Sequence, residues 1–296
     1  MKNLINESLS RFGVRIVRVK SLEPENHREE NFFDAHHISY CLGKNGIVTT
    51  VDMNKGRGLP LFSFAHPSVH PFVTAAKAVL TKCEDPVNTV KTLLKNYYDL
   101  VTPSCPNAIL GLNSGRSELK DFPAWAVLMP WDKENAIEWK EKIKSSVYSE
   151  NNRYGKRLGV EDGWAWAGPS SVIKVEIEST RLLSVLYSIQ KNGYNRNNKP
   201  DGDIMVNVLA KSAHDWVWQT VGAQHRAAAM AALGYGTVPV RIMRVIRRGD
   251  VLSWPNVVRG LYSKSEALKI FDDIYFANYM HVTSDWDKWL SRFTVS

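Results

Sequence analysis

Residues 218–242 read WQTVGAQHRAAAMAALGYGTVPVRI, and the fold is decided there. Trp216, Val217, Trp218, Thr220 and Val221 are aromatic or β-branched, which suits a strand. Gly222 and Ala223 make a compact turn. Residues 224–233 are rich in alanine, the strongest helix former. Gly234 stands where a left-handed C-terminal cap is expected, and Val238 to Ile242 begin the next strand. Pro239 marks a strand start, because proline has no N–H for a central ladder.

A strand, a small-residue turn and a helix form an anion trap. The first N–H groups of a helix have no intrahelical partner, and its dipole adds partial positive charge. Phosphate is the usual guest. Gln224, His225 and Arg226 stand at this helix start, and the planar fork of Arg226 matches phosphate oxygens. An ordinary crossover helix with an exposed arginine has the same outline.

The stretch from Val221 to Ile242 resembles the nucleotide-binding motif of the ParB/sulfiredoxin superfamily. That motif places Gly-x-x-His-Arg at a strand-to-helix turn. An alanine-rich helix, a Leu-Gly pair and a strand opening on Val-Pro follow it. The resemblance extends over about 80 residues, 170–250, roughly a small domain. It implies a nucleotide-binding domain with Gly222, Ala223, Gln224, His225 and Arg226 on the phosphates. In sulfiredoxins a catalytic cysteine precedes the His; here Gln224 does, so sulfinic-acid reduction has no nucleophile at this position.

The chain has 296 residues, 44% of them apolar, with 10 Trp and 11 Tyr, which excludes a disordered chain. A net charge of +8 favours anionic partners. Cys41, Cys83 and Cys105 are widely spaced and form neither a metal-ligand pattern nor an even disulfide set, which suggests a reducing cytoplasm. The sequence begins without an apolar signal core, and no apolar run reaches membrane-spanning length.

Residues 12–20 alternate apolar with basic, as a short strand or a basic arm would. Residues 23–37 mix acidic residues with His36 and His37, but no third ligand stands at a recognised metal spacing. Residues 47–51 suit a strand and 55–60 a loop. Residues 66–101 read as a helical hairpin, with Asp85-Pro86 as a start signal and Val87, Val90, Leu93, Leu94 and Tyr97 on one face. Residues 113–169 form a connector containing a charged helix over 134–148. Trp164 and Trp166 could stack on a base there or plug the join between domains. Residues 172–177 alternate and are read as a strand, with Ser179 and Thr180 capping the helix after it. Ile204 to Leu209 suit a second strand, and Ser263 with Glu266 forms a capping box.

The expected fold class is α+β. A ParB/sulfiredoxin-like mixed sheet of order β-α-β-β-α-β, with helices on one side, occupies the C-terminal half. A mixed α/β N-terminal region with the hairpin precedes it. The expected divisions are 1–112, a connector 113–169, a nucleotide-binding domain 170–250 and a helical extension 251–296.

In the superfamily's small-molecule kinases, a glutamate just before the first helix takes the acceptor's proton, and a basic residue nearby contacts phosphate. By resemblance Glu178 or Glu176 would be that base and Arg181 that contact, with Asp201 and Asp215 next in line. On charge alone Glu178 and Arg181 are also an exposed i, i+3 pair. The implied activity is ATP-dependent phosphoryl transfer to a small hydroxyl compound or sugar. ATP or another nucleotide and Mg²⁺ would be its cofactors. The first 150 residues resemble ParB-like proteins associated with surface-polysaccharide genes, which points to a carbohydrate acceptor. The alternative is a nucleotide-gated (CTP or ATP) DNA- or partner-binding protein. No reader helix follows the domain, so sequence-specific DNA binding is not expected.

Overall fold

The computed structural model describes residues 34–58, 61–81, 83–112, 117–153, 157–196 and 202–293. The arm at 12–20, the acidic residues 23–30 and Asp201 lie outside the described residues.

In the first half, helix α1 is Ala35–Cys41, and strands β1, β2 and β3 are Ile47–Asp52, Gly56–Gly58 and Phe62–Ser63. Helices α2, α3 and α4 are Pro71–Leu80, Pro86–Leu100 and Ala136–Asn152. Helix α5 is Val172–Asn192, followed by β4 at Ile204–Ala210 and β5 at Trp216–Thr220. Helix α6 is Gln224–Ala232 and β6 is Thr237–Arg247. Helices α7, Lys264–Phe276, and α8, Met280–Phe293, are the last of the longer helices.

The result is a mixed α+β fold around one open sheet of order β1-β6-β4-β5-β2-β3. β6 runs parallel to β4 and antiparallel to β1, while β5 runs antiparallel to β4 and parallel to β2. Strands from 47–63 and from 204–247 therefore share one sheet. Trp218 ties the two sets together, since its Nε1 donates to Asp52 O at 2.8 Å. Pro239 is the third residue of β6, opposite Thr50 of β1, and pairing to β4 starts only at Val240. Its missing N–H falls before that ladder begins. All five residues of β5 are buried. Successive strand side chains point to opposite faces, so both faces are covered at this strand, while β6 alternates buried with more exposed residues.

The largest departure from the sequence reading is at 172–177. This stretch is the first part of α5, not a strand. Ser171 caps it by accepting from Lys174 N, and Gly193 at φ 70° ends it. The buried face runs Lys174, Val175, Ile177, Glu178, Leu182, Leu186 and Ile189. That spacing is helical, and it includes two charged residues that an alternating reading assigns to solvent. The order becomes α-β-β-α-β, and β1 from the N-terminal half borders β6.

The hairpin forms as expected. Asp85 accepts from Asn88 N at 3.0 Å with Pro86 at the first helical position, and Val90, Leu93, Leu94 and Tyr97 are buried. Val87, expected on the same face, is exposed. Helices α2, α3, α5 and α6 pack on one another. Trp164 is buried against Trp166, with centroids 5.1 Å apart, so it packs in the core and offers no open stacking platform. Trp286 of α8 is fully buried, and its Nε1 donates to Val69 O at 2.9 Å.

Candidate functional site

The turn between β5 and α6 is built from backbone. Val221 N and Gly222 N donate to Met205 O on β4, at 2.8 and 3.3 Å. Ala223 adopts the left-handed conformation (φ 61°, ψ 41°), and no side chain caps α6. The start of a nine-residue helix is thereby left without a side-chain cap, where N–H groups lack intrahelical partners.

This turn borders a cleft of about 870 Å³. Helix α4 supplies Glu150, with Arg153 just beyond it, and α5 supplies Glu176 and Arg181. The turn supplies Gly222 and Ala223, and the first residues of α6 supply His225 and Arg226. The structure thus brings together most of the site residues expected from the sequence, although α5 begins as a helix. Glu150, Arg153 and the α4 wall were not anticipated, because the connector carries no local signal of what it faces. The volume lies within the range of small-molecule sites.

Arg181 Nη1 lies 2.6 Å from Glu150 Oε1 and 3.4 Å from Glu178 Oε1. Arg226 donates to Gly202 O and lies 5.8 Å from the Tyr194 ring centre. Glu176 is exposed and pairs with Lys91 of α3 at 2.9 Å. In the helix, Glu176 and Glu178 point in different directions, not the same way as in a strand.

Glu178 is completely buried behind the cleft wall. Its Oε1 accepts from Lys174 Nζ at 2.7 Å, and Lys174 is itself buried. Its Oε2 lies 2.7 Å from His225 Nε2, within hydrogen-bonding distance. Burial opposes ionisation of this carboxyl. His225, Lys174 and Arg181 outweigh burial and hold it well below the usual carboxylate range. The Lys174–Glu178 pair has a sequence signal, an i, i+4 spacing just after the Ser171 cap.

Gln224 does not line the cleft. Its Oε1 lies inward, where a β-carbon on Gly58 would meet it at 2.7 Å and His70 Nε2 at 3.0 Å. His70 is fully buried, and its Nδ1 accepts from Phe72 N at 3.2 Å. Burial, then the neighbouring His225, push its imidazole down to about 3, against a smaller opposing effect of Gln224. His70 is therefore neutral at physiological pH, with its hydrogen on Nε2 toward Gln224. Gln224, expected on the phosphates, is thus turned away from the cleft. Asp215 stands before β5, at the strand end away from the turn, and accepts from Tyr275 OH.

Among the described residues, no group of three or more His, Cys, Asp or Glu side chains could hold a metal ion. His37 Nε2 contacts Cys41 Sγ at 3.4 Å on the same short helix. No helix of the described residues is long and apolar enough to cross a membrane. Comparison of the chain with family models, with curated proteins and with solved structures finds no match.

Proposed function

We propose that the cleft binds the phosphates of a nucleotide and that the protein transfers a phosphoryl group to a hydroxylated small molecule or sugar. The observation that carries this reading is the convergence of an uncapped helix start with Arg153, Arg181 and Arg226 on one cleft. Oriented N–H groups and arginine forks are what polyphosphate binding needs. Mg²⁺ arriving with the phosphates would neutralise their charge, and Glu150 and Glu176 are the carboxylates on the cleft wall.

Glu176 is the better placed of the two expected bases. It is exposed on the cleft, whereas Glu178 is enclosed by Lys174, Arg181 and His225. In the proposed step the Glu176 carboxylate takes the proton of the acceptor hydroxyl. That oxygen bonds to the γ-phosphorus, the bond from phosphorus to the β-γ bridging oxygen breaks, and the diphosphate leaves.

The test is calorimetric titration with ATP and CTP in Mg²⁺, then labelled ATP with a panel of polyols and sugars. Arg226→Ala should weaken nucleotide binding by roughly 1.5–3 kcal/mol, the worth of a charged hydrogen bond. Glu176→Gln should preserve binding and slow transfer on the order of 10²–10⁴-fold. Absence of nucleotide binding by the wild type sinks the proposal. Binding without transfer to any hydroxyl compound favours a nucleotide-gated binding protein instead.

A further inference from the structure

The Lys174–Glu178 pair is buried at the centre of the helical layer, where an apolar pair of similar volume is commonly as stable or more so. Its surroundings suggest what it does. One carboxylate meets three partners, and its two oxygens divide them. Oε1 faces Lys174 and, at longer range, Arg181, while Oε2 faces His225. Both Arg181 and His225 line the cleft. The His225 ring is also stacked on Phe72, with centroids 4.4 Å apart and planes 19° apart. Phe72 fixes the plane of the imidazole, and Glu178 fixes its rotation within that plane.

We propose that Glu178, neutralised by Lys174, is a positioning residue that orients His225 and Arg181 toward a phosphate in the cleft. The proposal rests on the phosphate-binding reading above. A carboxylate accepts on both oxygens, and a carboxamide accepts on one only. Glu178→Gln cannot serve both Lys174 and His225 as acceptor. If its oxygen stays with Lys174, its NH₂ faces His225 Nε2, which must then give up its hydrogen. The substitution nearly conserves shape, so its effect is on the tautomer of His225 rather than on packing.

The full chain is labelled with ¹⁵N, and the imidazole signals of His225 are assigned by their loss in His225→Asn. Long-range proton–nitrogen spectra are recorded for the wild type and Glu178→Gln, and each is titrated with ADP. The expected result is a hydrogen-bearing Nε2 in the wild type and an unprotonated Nε2 in the variant. ADP affinity should fall about tenfold, the scale of one good hydrogen bond. Lys174→Met combined with Glu178→Leu removes both charges and leaves His225 Nε2 with no acceptor, so a changed imidazole signal and weaker ADP binding are expected of it too should the single variant fail to fold. An unchanged imidazole signal, or a changed signal with unchanged ADP affinity, overturns the proposal. Failure of the wild type to bind ADP sinks the phosphate reading and this proposal with it. It is told apart because it precedes any substitution.

Discussion

Ala223 takes the backbone conformation that glycine adopts most readily, while Gly222 beside it does not. A β-carbon in the left-handed region costs roughly 1–2 kcal/mol, partly offset by the smaller unfolded-state entropy of alanine. Ala223→Gly is therefore expected to leave thermal stability unchanged or raise it by up to about 1 kcal/mol, measured by calorimetric unfolding. A clear loss of stability would mean that the methyl group contributes packing that outweighs the strain. At the same scale, Glu178 and Lys174 show where composition misleads. Each alone reads as a surface charge, since such residues are rarely buried unless paired. Only their spacing, i and i+4 behind a serine cap, marks them as partners, and nothing local shows that the shared face is the buried one.

Helix α5 presents two chemistries on two faces. Lys174 and Glu178 point into the layer, while Glu176 and Arg181 line the cleft. Across the cleft, Glu150 of α4 occupies Arg181 at 2.6 Å, where the proposed phosphate would bind. Removing that competitor should help the ligand. Glu150→Gln is expected to raise the affinity for ADP measured without Mg²⁺ by about 1.5–5-fold, the range set by a partly exposed ion pair of roughly 0.2–1 kcal/mol. A fall in affinity would show instead that Glu150 contributes to binding. The unit β5–turn–α6–β6 was legible because its start and stop signals are local: Gly222, the alanines, Gly234 and Val238-Pro239. The start of α5 was not, since VIKVEIE satisfies a period of two over too few residues to reject the helical one. The α4 wall was not legible at all, because Glu150 and Arg181 are 31 positions apart and joined by a pairing only the fold creates.

At the level of the whole molecule, helix α8 docks by Trp286 and Leu290 and carries one group at odds with its surroundings. Asp287 is half-buried, its Oδ1 is enclosed without a hydrogen-bond partner, and burial pushes its carboxyl up to about 6. A carboxyl raised in the folded state contributes stability below its unfolded pKa of about 4, and this is lost as pH rises through about 6. Stability should decline by about 1 kcal/mol across that window, after discount for partial exposure. Asp287→Asn should abolish this part of the slope and stabilise the protein at pH 7–8, read from unfolding midpoints against pH. An unchanged slope would assign it to another group. The sheet has a consequence of a different kind, in the timing of synthesis. Ile47 of β1 pairs with Ile242 of β6, and Arg57 of β2 pairs with Gln219 of β5. At about 5–20 residues per second, a ribosome takes on the order of 10–40 s to travel from the first strand to its partner. For that interval β1 has emerged with no native neighbour and β2 with β3 alone, and the nascent chain carries unpaired edges that must be shielded until the other half arrives.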